Sequence, residues 1–203
     1  MNINYNKYND DYTKNDEDDN SESNETISKS HNHIYFHADI NTKNIFTLCE
    51  LIRKCEIENI TTAISMNINT IPIFLHIHSS GGYVYDALHA VDIIQSCKVP
   101  IHTIVEGYVA SAGTIISVVG VKRYIRPNAQ MLIHQHSSGG WGKMEELADQ
   151  YKNNVQIMNI IMNIYLQYAK IPKTKLKEIL KHDLWWNADI CIKYGLVDEI
   201  WKG

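Results

Sequence analysis

Apolar positions along the chain follow two rhythms, and the switch between them marks the elements. Residues 34–37 and 73–78 mix β-branched and aromatic side chains over a short span, as strands do. Residues 42–57 place Ile45, Leu48, Cys49 and Ile52 on one face of a helix, and 59–70 are polar enough for a loop or a helix tail followed by one. Residues 83–96 return to helical spacing through Val84, Ala87, Leu88, Val91 and Ile94. Strands are expected at 99–105, 124–126, 131–133 and 196–200, with an apolar helix at 114–119. The longest periodic segment, 144–169, carries Leu147, Tyr151, Val155, Met158, Met162, Tyr165 and Ala169 and predicts a helix of about seven turns. Pro172 is placed to start the next helix, ending near His182. Asn187 can cap a last helix over 188–194 that Gly195 closes. Strands alternating with helices predict an α/β fold with a largely parallel sheet, and no internal repeat is visible.

Charge changes this picture at one end. Residues 1–30 hold eight acids against three lysines, so the net charge of -4 over 203 residues is concentrated there. With Met1, Ile3 and Ile27 as its aliphatic side chains, this segment cannot bury enough surface to offset its ordering entropy, and a disordered acidic, Asn-rich tail is expected. Residues 31–203 then form one domain. No basic block appears, which argues against nucleic acid as a partner. There is no apolar signal region at the start and no apolar run of about 18 residues, so a soluble, cytoplasmic protein without a membrane span is expected. Cys49, Cys55, Cys97 and Cys191 form no C-x-x-C pair and read as reduced thiols in a reducing compartment.

The candidate chemistry centres on Ser111, flanked by Ala110, Ala112 and Gly113 where a strand gives way to an apolar helix. A serine there can simply cap the helix. It can also be a nucleophile at a strand-to-helix turn, with small neighbours that let a substrate backbone approach. The stretch is not a G-x-S-x-G elbow. Histidines tempt a metal reading, since His76 and His78 share a strand face and His31, His33 and His37 cluster near the tail. No cysteine or carboxylate joins them at ligand spacing, so no metal is assigned.

Three pieces point further: Ile77-His78-Ser79-Ser80-Gly81-Gly82, the stretch from Gly107 to Gly113, and Met131-Leu132-Ile133-His134-Gln135. With Asp183 and Tyr194-Gly195-Leu196-Val197-Asp198, the chain from Ile34 to Ile200 resembles the Clp protease proteolytic subunit, of the crotonase-like superfamily. The resemblance implies a ClpP/crotonase-like spiral of β-α units with a protruding long helix, or handle. It implies a catalytic triad in which Ser111 is the nucleophile, His134 the general base and Asp183 the acid that orients it. It implies backbone oxyanion donors at Gly81 and Ala112, and a substrate strand laid along Gly82 and Gln135. The serine endopeptidase so described would assemble as two stacked heptameric rings and cut unfolded proteins or peptides inside the chamber. Its partner would be an AAA+ unfoldase of the Clp type. The chain has no G-x-x-x-x-G-K-[ST] sequence, so it needs no cofactor of its own and ATP would be used by that partner.

The chain departs from the family pattern at Ser80 and His136, where proline is usual, and at Ala112, where methionine is usual. Residues 137–143 do not align cleanly, and the acidic tail replaces the family's pore-lining N-terminal segment. Three other readings stay open: a catalytically inactive structural ring subunit beside an active paralogue, a crotonase-like acyl-CoA enzyme, and a serine–lysine peptidase.

Overall fold

The computed structural model describes residues 26–203. Strand β1 (Thr26–Ser30) pairs antiparallel with β2 (His33–His37) through a two-residue loop in which His31 takes a φ of 54°. Helix α1 (Thr42–Met66) follows, then β3 (Ile73–Ser79), α2 (Val84–Ser96), β4 (Ile101–Ala110) and α3 (Ala112–Val118). The second half comprises β5 (Lys122–Ile125), β6 (Gln130–Leu132), α4 (Met144–Tyr168), α5 (Lys173–Ile179), β7 (Trp185–Trp186), α6 (Ala188–Lys193) and β8 (Glu199–Ile200). The sheet runs β1-β2-β3-β4-β5-β8, and every neighbouring pair after the first is parallel.

The period-2 pattern explains which face meets the helices. Ile34 and Phe36 of β2, Ile73, Leu75 and Ile77 of β3, and Val105 of β4 are fully buried. They pack in one core with Ile45, Leu48 and Ile52 of α1 and Ala87, Val91 and Ile94 of α2. Complete burial of each large aliphatic side chain contributes about 1.5–3 kcal/mol. The intervening residues put aromatic rings on the other face: His33 stacks on Phe74, Tyr35 on His76, and Tyr124 meets Trp201 edge-on. His76 is almost wholly buried and bonds to His33 at 2.9 Å and to Glu106 at 2.9 Å. Of the histidines that invited a metal reading, His33 and His76 thus bond to each other and His76 also to a carboxylate. Among the described residues no group of three or more His, Cys, Asp or Glu is arranged to hold a metal ion.

Several expectations shift. Residues 26–30, expected within the tail, form strand β1, because Ile27 packs against the core opposite Phe36. The rest of the expected tail, residues 1–25, lies outside the described residues. Of the two readings of 59–70, the helix tail followed by a loop holds: α1 continues to Met66, carried by buried Asn59 and Ala63, and ends where Asn67 turns left-handed at φ 51°. Strand β4 runs five residues past Val105, and two short strands, β1 and β7, were not expected. The buried stripe of α4 is Ile157, Ile161 and Tyr165; Tyr151 and Val155 are exposed, because the first half of the helix extends away from the core. All four cysteines are unpaired, and burial pushes the Cys55 thiol up to about 11 and that of Cys191 up to about 12. No helix among the described residues is long and apolar enough to cross a membrane.

Candidate active site

The site is built by the way β4 divides its partners. Its first half pairs with β5, from His102 to Val105, and its last three residues pair with β6, through Tyr108–Gln130, Val109–Met131 and Ala110–Leu132. Gly107, at φ 58°, allows the turn between the two registers, and a Cβ there would come within 2.7 Å of the His78 ring. The pairing brings the end of β4 alongside the end of β6: Ser111 follows β4 directly, His134 stands two residues past β6, and both line one cleft.

Ser111 occupies the N-cap position of α3, yet its side chain caps nothing. Its backbone sits at φ 52°, ψ -126°, a region that costs a non-glycine residue about 1–3 kcal/mol. The Ser111 N–H donates to the Leu132 carbonyl at 2.9 Å. Its own carbonyl accepts the Thr114 N–H at 3.0 Å and the Thr114 hydroxyl at 2.6 Å. Backbone bonds therefore hold the turn, and the Oγ forms no hydrogen bond among the described residues. The capping reading of Ser111 does not survive this geometry.

His134 is partly buried, and its Nδ1 lies 3.7 Å from Asp183 Oδ1. That separation is within ion-pair range and beyond a hydrogen bond. Asp183 follows α5 and is largely exposed, with 79% of its side chain accessible. Next to His134, the Gln135 N–H donates to the Leu180 carbonyl at 2.7 Å, which ties the segment to the end of α5.

A cleft of about 490 Å³ opens over these residues. Ser111, His134 and Gln135 line it together with Gly82, Ala112 and His136, and the far wall is formed by Ile157 and Ile161 of α4. Its walls are mostly apolar, with a few convergent polar groups, as expected of a site that holds an extended chain by its backbone.

The glycine pair behaves differently from the expectation. Gly81 packs under Ser111, where an added Cβ would sit 2.7 Å from the serine Cβ, but its N–H donates to Ser79 Oγ at 3.2 Å. Gly82 bridges Ile40 in a pattern that uses the Gly81 carbonyl and the Tyr83 N–H, which leaves the Gly82 N–H outside the bridge, and Gly82 lines the cleft. The Gly81 N–H, expected as an oxyanion donor, thus has a partner within its own turn. The reason is local: Ser79 has its hydroxyl within reach of the first glycine.

Two departures from the family pattern acquire partners. Ser80 donates to Asp39, a side-chain tether to the segment before α1 in place of a rigid ring. The His136 N–H points at the Met158 sulfur at 3.0 Å, fixing the loop after His134 against the long helix. Farther along that loop, Gln150 donates to the Gly139 carbonyl at 2.8 Å and Asn154 to the Ser138 hydroxyl at 2.6 Å, while Trp141 is fully exposed.

Two residues of this region were not singled out from the sequence. Thr114 is fully buried beneath Ser111, and Tyr165, read as one position of a helix stripe, lies 2.6 Å from its hydroxyl. Thr114 three residues after Ser111 was a readable signal for back-bonding within a turn. Nothing along the sequence pairs it with a residue 51 positions away.

The structure thus defines an α/β fold with a largely parallel sheet, a split central strand, a glycine pair and a serine at a strained strand-to-helix turn. Residues 27–203 match the Clp protease family, and the chain belongs to it. It is 31% identical over 130 residues to the ATP-dependent Clp protease proteolytic subunit of Deinococcus radiodurans, covering 63% of this chain and 64% of that protein. Identity to the subunit of the same description from Streptococcus thermophilus is 33% over 136 residues, 65% of this chain and 69% of that one. The match therefore spans just under two thirds of the first relative's length. A point mutant of ClpP1 from Listeria monocytogenes superimposes with a TM-score of 0.74 at 21% identity, covering 85% of this chain and 92% of that one, and shows the same fold.

Proposed function

We propose that the chain is a Clp-type serine endopeptidase subunit with Ser111, His134 and Asp183 as its triad. The observation that carries this reading is the strained Ser111 turn, which leaves the hydroxyl unbonded at the cleft that His134 also lines. In the reaction, Ser111 Oγ attacks the peptide carbonyl carbon while His134 takes its proton, and the histidine then hands that proton to the departing amine. Water attacks the resulting acyl-enzyme by the same route in reverse, releasing the acid and restoring Ser111. Asp183 holds the imidazole in the tautomer that keeps a free acceptor nitrogen toward the serine. The oxyanion is held by the N–H groups of Gly82 and Ala112, each such donor contributing about 3 kcal/mol to transition-state stabilisation.

The subunit would work inside two stacked heptameric rings, fed with unfolded chains by an AAA+ unfoldase that supplies the ATP hydrolysis. Supporting this are the apolar side chains that α4 leaves exposed, Met144, Tyr151, Val155 and Ile160, which a second subunit would cover. Four unpaired thiols suit a reducing compartment such as the cytoplasm. One observation favours the inactive ring-subunit reading: Asp183 is largely solvated and 3.7 Å from its histidine. Catalytic hydrogen bonds are often long before substrate binds, and the two readings separate in one experiment. Fluorophosphonate labelling of the purified protein, beside Ser111→Ala and with native mass on the same samples, should mark a particle of several hundred kilodaltons and vanish in the variant. A large unlabelled particle would establish the structural subunit, and labelling that survives Ser111→Ala would sink the mechanism.

A further inference from the structure

The Tyr165 hydroxyl lies 2.6 Å from Thr114 Oγ1, and Thr114 Oγ1 lies 2.6 Å from the Ser111 carbonyl oxygen. A carbonyl can only accept, so the Thr114 hydroxyl spends its one proton on it, and Tyr165 must then be the donor to Thr114. The chain of bonds has one direction, from the handle helix to the nucleophile turn. Thr114 is fully buried and Tyr165 nearly so. Burial holds the tyrosine pKa far above its ordinary value, which keeps the proton that this direction requires.

The carbonyl at the end of the chain belongs to the same peptide unit as the Ala112 N–H. Two donors already converge on that oxygen, the Thr114 N–H at 3.0 Å and the Thr114 hydroxyl. Electron density drawn to the oxygen leaves the amide nitrogen more positive and its N–H a stronger donor, and successive hydrogen bonds reinforce one another in this way. The same bonds fix the peptide plane, and with it the direction of the N–H, across a turn whose strained backbone would otherwise relax.

We propose that Tyr165 and Thr114 are positioning residues for catalysis, a hydroxyl relay from α4 that orients and polarises the Ala112 N–H of the oxyanion hole. This rests on the reading above, in which Ala112 is an oxyanion donor. Neither side chain touches substrate in the relay. It also makes the geometry of the hole depend on how α4 is seated, since Tyr165 can donate only while its ring stays beneath Thr114.

The test uses the full-length assembled protein as wild type, Tyr165→Phe, Thr114→Val, Thr114→Ser and Ser111→Ala. Tyr165→Phe keeps the ring and Thr114→Val keeps the shape, and native mass and melting temperature are checked for each. With a fluorogenic peptide, both relay-breaking variants are expected to lose about tenfold in kcat with KM within about twofold, short of the roughly 10²–10³ that loss of an oxyanion donor itself costs. Affinity for a peptide boronate, whose tetrahedral adduct needs the hole, should fall by the same factor, and Thr114→Ser should restore both. The Ala112 amide proton, read in 15N-alanine-labelled protein, should shift upfield in Tyr165→Phe and Thr114→Val and stay in place in Thr114→Ser. An Ala112 resonance unmoved in both relay-breaking variants would overturn the relay, as would kcat and boronate affinity unchanged in Tyr165→Phe. Loss of native mass and a joint change of kcat and KM would make the pair merely structural and overturn it too. If the wild type neither cleaves nor labels but the resonance moves as stated, the relay stands and the protease reading falls.

Discussion

Strain at single residues is what readies this site. Ser111 is held at positive φ by bonds to Leu132 and Thr114, and Gly82 sits at φ 141° with the Ile40 carbonyl 2.1 Å from where a Cβ would be. Gly82→Ala is therefore expected to abolish fluorophosphonate labelling and to lower the melting temperature, since neither the backbone angle nor the contact can be kept; labelling at the wild-type rate would show that the loop is not the oxyanion cradle. Asp183→Asn tests the opposite kind of residue, one held loosely in solvent. A carboxylate that only orients its histidine is worth about 10⁴ in kcat when well buried, and the exposure and 3.7 Å separation of Asp183 set the expected loss near 10². Steady-state peptide hydrolysis with KM little changed would match; an unaltered kcat would remove Asp183 from the triad. Ser79 shows how far residue types read alone can mislead: its hydroxyl occupies the Gly81 N–H, a fact of geometry that the sequence Ser79-Ser80-Gly81-Gly82 does not contain.

At the scale of elements, the tail motif Tyr194-Gly195-Leu196-Val197-Asp198 works as a clamp rather than as part of the chemistry. Asp198 takes Arg123 from both sides, with Nε to Oδ2 at 3.1 Å and Nη2 to Oδ1 at 2.5 Å. Arg123 Nη1 meanwhile donates to the carbonyls of Tyr168 at 2.6 Å and Gly195 at 3.0 Å. One guanidinium thereby joins β5 to the approach to β8 and to the end of α4. Burial works against the Asp198 carboxylate, but the bonds and charge of Arg123 outweigh it and hold the pKa below the usual value. Asp198→Ala would leave Arg123 buried without its counter-charge, a loss of about 3 kcal/mol, at the lower end for such pairs because Asp198 is partly exposed. Urea unfolding that showed less than about 1 kcal/mol would make this an ordinary surface pair.

For the whole molecule, the sheet face away from the helices sets the response to acid. Burial lowers the pKa of His76 against the opposing pull of Glu106, and burial lowers those of His33 and His102, helped by His31 and Lys122 respectively. Groups lowered on folding take up protons more readily in the unfolded chain, whose histidines titrate near 6.5. Their contribution is intact above that pH and is lost as pH falls below it toward the folded values. Melting temperature should therefore drop from pH 7.5 to pH 5, before carboxylates titrate; a melting temperature that rises over that interval would contradict the assignment of these histidines as neutral in the fold.

The period of the apolar residues was enough to determine the alternation of strands and helices, the parallel sheet and most helix bounds, because burial of one face imposes that period directly on the sequence. Asn187 capping α6 through the Ile190 N–H at 3.0 Å is equally local, and was legible for that reason. The candidate triad was readable as three separate residue types in recognisable surroundings. Only the tertiary structure decided that β4 splits between β5 and β6, which is what sets Ser111 beside the end of β6, since strand pairing depends on partners far apart in the chain. It also decided that the Ser79 hydroxyl takes the Gly81 N–H, where the apolar stripe of α4 stops being covered, and that Tyr165 reaches Thr114. Each of these rests on a contact between distant segments, and periodicity along one segment carries no information about the other.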